Sequence, residues 1–362
     1  MSEVELRRVT KSFPDGHGGR TDVLHGVDIV APSGQFVVLL GPSGCGKSTS
    51  LRIIAGLEGA SGGDVLIGGE RVNDKPAAQR QIAMVFQNYA LYPHLSVMEN
   101  IVFGLRVRRV GKAERQQRGV DAARKVGLEP YLDRKPSQLS GGQRQRAALA
   151  RALVSDAKVV LMDEPLSNLD AKLRHQMRIE LRNLQRDLGL TVIYVTHDQV
   201  EAMTMADHVV VMRDGYVAQA AAPVELYTEP ADTDVASFIG SPPMNLLPAR
   251  GSDAGLSVSG NPRPWSLEVP HDTDLIVGIR PESLALDGSG PLEVVGQVRT
   301  TEILGAETLL TLEGRAGDSF VARIPGIARI DTGTDVRLTT TPDDLRFFDA
   351  QTGLSLTTPA SA

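Results

Sequence analysis

Two groups of residues in this sequence have the types and spacing to handle phosphate chemistry. The first is Gly41-Pro42-Ser43-Gly44-Cys45-Gly46-Lys47-Ser48-Thr49, directly after the apolar run Phe36–Leu40. It fits the pattern GxxxxGK[ST], with a strand before it and a helix expected to open within it. Glycines there let successive backbone N–H groups wrap phosphate oxygens, and the helix turns its positive end toward them. Lys47 adds a point charge for the β- and γ-phosphates, and the Ser48 hydroxyl is placed to ligate Mg2+. Cys45 reads as a small loop residue, not a nucleophile. The second group is Val159-Val160-Leu161-Met162-Asp163-Glu164, an apolar strand ending in two carboxylates. Open α/β sheets bind ligands at the carboxyl edge of their strands, so both acids stand in a useful place. Asp163 suits Mg2+ coordination, directly or through a water. Because side chains alternate along a strand, Glu164 is expected to point elsewhere and to polarise an attacking water. A strand ending in Asp-Glu means little alone and gains its meaning beside the phosphate loop.

Between these groups lies Leu139-Ser140-Gly141-Gly142-Gln143, followed by a helical stretch over Arg144–Leu153. This pentapeptide resembles the signature motif of ABC transporter ATPases. Other elements of that family's pattern follow in order: Gln87 in MVFQNYALYPHLSV, Asp170 closing Ser167-Asn168-Leu169-Asp170, and His197 in YVTHDQVEAM. Phe13, in VTKSF, falls where the family places an aromatic ring against adenine. The resemblance implies ATP and Mg2+ as cofactors. It implies two ATP molecules sandwiched between two such chains, as a homodimer or with a similar ATPase. The phosphate loop of one chain would face Ser140, Gly141, Gly142 and Gln143 of the other. Glu164 is then expected as the catalytic base, His197 as a γ-phosphate contact, and Lys47 as the phosphate cation. Gln87 is expected beside Mg2+ and the water, with Ser48 and Asp163 completing the metal site. Phe13, Gly41 to Thr49 and Asp170 are expected to hold the nucleotide. Two transmembrane permease subunits are implied as partners, docking on Tyr89–Val97, with an extracytoplasmic solute-binding protein acting through them.

The elements that must position these residues read as an α/β unit over residues 1–240. Phe36–Leu40, Val159–Met162, Val192–Val195 and Val209–Met212 are short β-rich apolar runs that suit strands buried on both faces. Leu173, Met177, Leu181, Leu184 and Leu188 recur at spacings of three and four, one face of a helix. Strand, helix, strand in this order predicts a mainly parallel sheet with helices on both sides. Helix-like sequence from 88 to about 150 interrupts it as an inserted helical subdomain. There Arg106, Arg108, Arg109, Lys112, Arg115 and Arg118 read as a solvated face, with a patch facing lipid headgroups as the alternative.

Residues 241–362 contain no lysine and carry short β runs between Gly/Pro turns, which suits a small antiparallel β-barrel. Expected strands are Leu275–Ile279, Val294–Val298, Thr308–Leu312, Phe320–Ile324 and Val336–Thr339. Gly251–Pro264 follows no readable pattern, and the final TTPASA is expected to be disordered. The segments Gly278-Ile-Arg-Pro-Glu282, Ile303–Thr308, Leu345–Asp349 and Phe238–Leu247 resemble the OB-like, TOBE-type regulatory domain of MalK-type importer ATPases. That group energises uptake of sugars and sn-glycerol 3-phosphate. ATPases for polyamine, iron or anion import also carry C-terminal barrels, and remain the alternative. ABC ATPases of translation or DNA repair usually have tandem nucleotide domains or a coiled-coil insert, and neither pattern is seen.

Composition agrees. Lys plus Arg total 38 against 44 Asp plus Glu, a net charge of −6, which disfavours nucleic acid as a partner. The single cysteine suits a reducing compartment. No apolar run reaches the roughly 20 residues of a membrane span, and the first residues lack a secretory signal. The expected location is therefore the cytoplasmic face of the membrane, reached through partners.

Overall fold

The computed structural model describes residues 2–15, 19–259, 261, 263–267, 269, 271–286, 288 and 290–356. The expected disorder of the final residues lies outside this set. The chain forms two compact units, Met1–Pro223 and Val224–Ala362. In the first, β1 (Val4–Pro14) and β2 (Arg20–Ala31) precede β3 (Phe36–Leu40), α1 (Lys47–Ala55), β4 (Gly62–Ile67), β5 (Glu70–Arg71) and β6 (Ile82–Val85). A helical stretch follows: α2 (Val97–Ile101), α3 (Phe103–Val107), α4 (Lys112–Lys125) and α5 (Gly141–Leu153). Then come β7 (Val159–Asp163), α6 (Ala171–Leu188), β8 (Thr191–Thr196), α7 (Gln199–Met205), β9 (His208–Arg213) and β10 (Tyr216–Ala221).

The main sheet has the order β10-β9-β3-β8-β7-β6 and is parallel except for β10 at its edge. Its alternating side chains enter two layers. Val37, Leu39, Leu161, Ile193 and Val195 share one core with Leu51, Ile53 and Ile54 of α1. On the other side Phe36 lies 5.6 Å from the Tyr194 ring, and Arg182 of α6 reaches over Phe36. Helices on both faces explain why these strands are apolar throughout. A second sheet, β2-β1-β4-β5, is antiparallel and was not expected; it closes the core over α1. Residues 97–154 surround a separate core of Met98, Ile101, Leu105, Ala123 and Ala147. Of its basic cluster, Arg106, Arg108, Arg109 and Lys112 are exposed, while Arg118 pairs with Asp156.

Helix α8 (Pro223–Thr228) starts at the last residue of the first unit, and the second continues with α9 (Thr233–Phe238) and strands β11 (Asn245–Ser252), β12 (Gly255–Val258), β13 (Asp274–Ile279) and β14 (Leu292–Ile303). It ends with β15 (Glu307–Glu313), β16 (Ser319–Pro325), β17 (Asp335–Thr340), β18 (Leu345–Asp349) and β19 (Ser355–Leu356). They form two antiparallel sheets, β12-β11-β13-β18-β19 and β16-β15-β14-β17, around one shared core. Asn245 links the sheets by exchanging hydrogen bonds of 2.8 and 2.7 Å with the Val321 backbone. The segment that showed no pattern in sequence supplies the end of β11 and all of β12. Buried Arg280 donates to the carbonyls of Tyr227 and Ile239 and stacks on the Tyr227 ring, which fastens α8 and α9 to the strands.

Candidate active site

Four parallel strands deliver the candidate residues to one edge of the main sheet. β3 runs into the loop at Gly41, β6 is followed by Gln87, β7 ends at Asp163, and β8 is followed by His197. The loop between β3 and α1 is closed by tight backbone approaches. A Cβ on Gly41 would stand 2.2 Å from the Met212 carbonyl oxygen. Gly46 caps α1 at φ 101°, and a Cβ there would meet Leu24 at 2.5 Å. Both positions therefore require glycine. Lys47 is only 5% exposed, and its ammonium donates to the carbonyls of Gly41 and Pro42 at 2.7 Å each. Cys45 is buried, its Sγ 3.7 Å from that ammonium, as a small packing residue would be. Pro42, Ser43 and Gly44 are exposed, and Ser48 and Thr49 are half-buried.

The Ser48 hydroxyl donates to Asp163 Oδ1 at 2.8 Å, joining the two sequence groups directly. Burial pushes the Asp163 carboxyl above its ordinary range; the Ser48 bond opposes this, and the charge of Glu164 adds to it. Glu164 does not turn away by strand alternation, as the sequence suggested. β7 stops at Asp163, and Glu164 takes a left-handed φ of 43°, anchored by its N–H to Val195 O at 3.0 Å. Its Oε2 lies 3.3 Å from His197 Nδ1 and 3.4 Å from Gln87 Nε2. Ser48, Asp163, Glu164, His197 and Gln87 thus form one polar cluster.

Other expected residues stand apart from this cluster. Phe13 is half-buried near the end of β1, with the Lys11 ammonium 4.5 Å from its ring centroid. Ser140 is the N-cap of α5, so the helix starts at Gly141 and not at Arg144. Ser140 Oγ accepts from Gln143 N at 3.3 Å, and Gln143 Oε1 accepts from Ser140 N at 2.9 Å. This reciprocal cap leaves the first-turn amides of Gly141 and Gly142 without intrahelical acceptors. Asp170 caps α6 by accepting from Leu173 N at 2.9 Å.

Three further residues orient the cluster; the sequence reading quoted them within motifs and gave them no role. Ser167 Oγ lies 3.5 Å from Gln87 Nε2 and donates to Glu164 O at 2.9 Å. Asn168 donates to the Gln87 carbonyl at 3.1 Å. Buried Glu201 accepts from Tyr194 at 2.8 Å and from Thr196 at 2.7 Å, fixing the strand end that carries His197. Burial raises its carboxyl from the ordinary value, with the two hydroxyls pulling it down. The polar turn Ser167–Asp170 was the available signal for the first two.

The profile of the ABC transporter family matches residues 24–167, that of the MalK OB fold domain residues 240–284, and that of the TOBE domain residues 277–348. The sn-glycerol-3-phosphate import ATP-binding protein UgpC of Ruegeria sp. (strain TM1040) is 51% identical, with 98% of this chain and 99% of that protein covered. The chain belongs to the MalK-like family of ABC importer ATP-binding subunits. Another member, the alpha-glucoside transport ATP-binding protein AglK of Rhizobium meliloti (strain 1021), is 48% identical over 96% of this chain and 98% of its own. Among solved structures, the ATP-binding cassette MJ0796, a dimer in a post-hydrolysis state bound to ADP and Pi, matches with TM-score 0.55 and 33% identity. That match covers 61% of this chain and 98% of MJ0796.

For this ABC subunit the oxygen donors also fit a magnesium ion. Among the described residues no group of three or more His, Cys, Asp or Glu could hold a metal unaided. Ser48 and Asp163, already in contact, match an ion that takes one or two protein ligands and completes its shell with substrate phosphates and water.

Proposed function

We propose that this chain hydrolyses ATP to drive an importer for sugars or sn-glycerol 3-phosphate, as one of two facing ATPase subunits beneath two membrane permeases. The contact of Ser48 with Asp163, beside Glu164 Oε2 shared by His197 and Gln87, carries the ATPase part. The full-length identity to UgpC and AglK supports the solute class. Gly41 to Thr49 bind the phosphates, and Phe13 stacks on the base. Lys47 exchanges its two loop carbonyls for phosphate oxygens. Ser48 and Asp163, with Gln87 close by, would hold Mg2+, which would supply charge neutralisation at the phosphates. Glu164 takes the proton of the attacking water, and His197 holds the γ-phosphate oxygens. The partner chain's free amides after Ser140 complete the charge cage, with Asp170 at the same interface.

No helix of the described residues is long and apolar enough to cross a membrane. We assign the chain to the cytoplasmic face, bound through a groove of about 300 Å3 lined by Phe86, Tyr92, Phe103 and Leu105 next to the docking segment Tyr89–Val97. An extracytoplasmic binding protein would act through the permeases. Recovery of the tagged chain from its own membranes should bring down two multi-span permeases and a sugar- or glycerophosphate-type binding protein. Recovery of ribosomes or DNA, or of no membrane protein, would overturn the transport reading and leave the ATPase chemistry standing.

Two expected results follow from the phosphate loop. Lys47→Ala removes charge-assisted hydrogen bonds worth about 1.5–3 kcal/mol, so ATP affinity should fall on the order of ten- to a hundredfold. Titration with a fluorescent ATP analogue measures this, and unchanged affinity would remove Lys47 from the phosphates. Burial raises the Asp163 carboxyl, so protons should compete with Mg2+ at a higher pH than at an ordinary aspartate. The apparent Mg2+ affinity should fall as pH is lowered through the upper carboxylate range. A titration of activity against Mg2+ at several pH values checks this, with Asp163→Asn expected to flatten the pH dependence of whatever affinity remains.

A further inference from the structure

Helix α5 carries the signature segment at its first turn and Arg151 near its last, about 16 Å away along the axis. The Arg151 guanidinium donates to Ala90 O at 2.6 Å and to Tyr89 O at 2.8 Å. Tyr89 and Ala90 have φ of 62° and 46°, the left-handed region that such residues avoid. Among the described residues no carboxylate pairs with Arg151, and burial lowers its guanidinium from the ordinary value. A half-buried cation thus directs two donors to one strained turn, which begins two residues after Gln87. The rest of that segment is tied elsewhere. Fully buried Asn100 accepts from Tyr92 N at 2.7 Å and donates to the carbonyls of Tyr92, Leu95 and Ser96. Of these ties, Arg151 alone comes from the signature helix.

We infer that Arg151 is a positioning residue that locks the Tyr89–Ala90 turn to the signature helix, so that permease docking and closure of the nucleotide site are one motion. The inference rests on the reading of Tyr89–Val97 as the docking segment. The planar fork sends one N–H to each carbonyl in a fixed geometry, and a lysine ammonium, a point charge on a flexible stem, would not hold that pairing in place.

The test compares Arg151→Ala and Arg151→Lys in the purified chain and in the complex with its permeases recovered from membranes. For the chain alone, ATP turnover and KM should stay within about twofold, while permease-stimulated turnover falls about tenfold or more. Lysine, which keeps the charge and favours folding, should restore little. Adding Ala90→Gly to Arg151→Ala should restore part of the stimulation, because glycine adopts the left-handed conformation freely. Hydrogen exchange on the chain alone reads the lock itself. The Tyr89 amide, bonded to Phe86 O at 2.9 Å, should exchange faster in both variants, with the α5 amides of Ala147–Ala150 unchanged. Equal losses with and without permeases, no loss in either, or unchanged exchange at Tyr89 each overturn the inference. Failure of the permeases to stimulate the unaltered chain overturns the importer reading instead, and the exchange result still decides whether Arg151 holds the turn.

Discussion

Glu164→Gln should lower steady-state ATP hydrolysis about a hundred- to ten-thousandfold, the range for loss of a general base and equivalent to about 3–5 kcal/mol of barrier. The amide keeps the size of the carboxylate. It can still accept from Gln87 and His197 through its oxygen, so the cluster around Oε2 should hold its shape. What disappears is the basicity that takes a proton from water and a negative charge beside the γ-phosphate. ATP should therefore bind at least as well as in the unaltered chain, and the ATP-bound pair should persist. Size-exclusion chromatography with ATP should show a stable dimer for the variant and a transient one for the wild type. Normal turnover in the variant would exclude Glu164 as the base.

Ser140→Arg should depress activity beyond simple dilution when mixed with the unaltered chain. The substitution removes the oxygen that caps α5, at a cost of about 1 kcal/mol, and puts a long cation where the proposed partner's γ-phosphate must approach two glycine amides. Random pairing of equal amounts leaves about a quarter of the dimers with two normal signature segments. If one blocked interface stops closure of both, activity should fall to about a quarter of that of the wild type alone. Independent sites would leave about half. ATPase titration at fixed total protein separates the two, and the melting temperature of the variant guards against simple unfolding.

The parts legible in the sequence were those whose physics is local. β3, β7, β8 and β9 are buried on both faces, so each shows as an unbroken apolar run whatever surrounds it. The glycines at 41 and 46 mark a loop that closes on itself. The antiparallel sheet β2-β1-β4-β5 was illegible for a local reason too. β1 breaks its alternation at Arg7–Arg8, where Arg8 takes φ 45° and the register with β2 slips between Leu6 and Val9. A period of two interrupted at its third step looks like no period at all. Of the site, the residues following strand ends were readable. Ser167, Asn168 and Glu201 were not, because their partners lie on other loops or across a strand end: Asn168 meets Gln87 across 81 positions. The direction of Glu164 was not legible either: strand alternation was expected to set it, and a left-handed backbone turn that its neighbours in sequence do not announce sets it instead.

The order of strands in the main sheet has a consequence for synthesis. β3 lies between β8 and β9, which begin at Thr191 and His208. A chain emerging from the ribosome therefore exposes the phosphate loop long before either neighbour of its supporting strand exists. The partner of Ser48 arrives 115 residues later, and His197 later still. Products of translation interrupted before residue 163 would carry the loop without Asp163, Glu164 or either strand that flanks β3. On the proposed reading, a fragment that stops before Asp163 would hold phosphate without the groups that hydrolyse it.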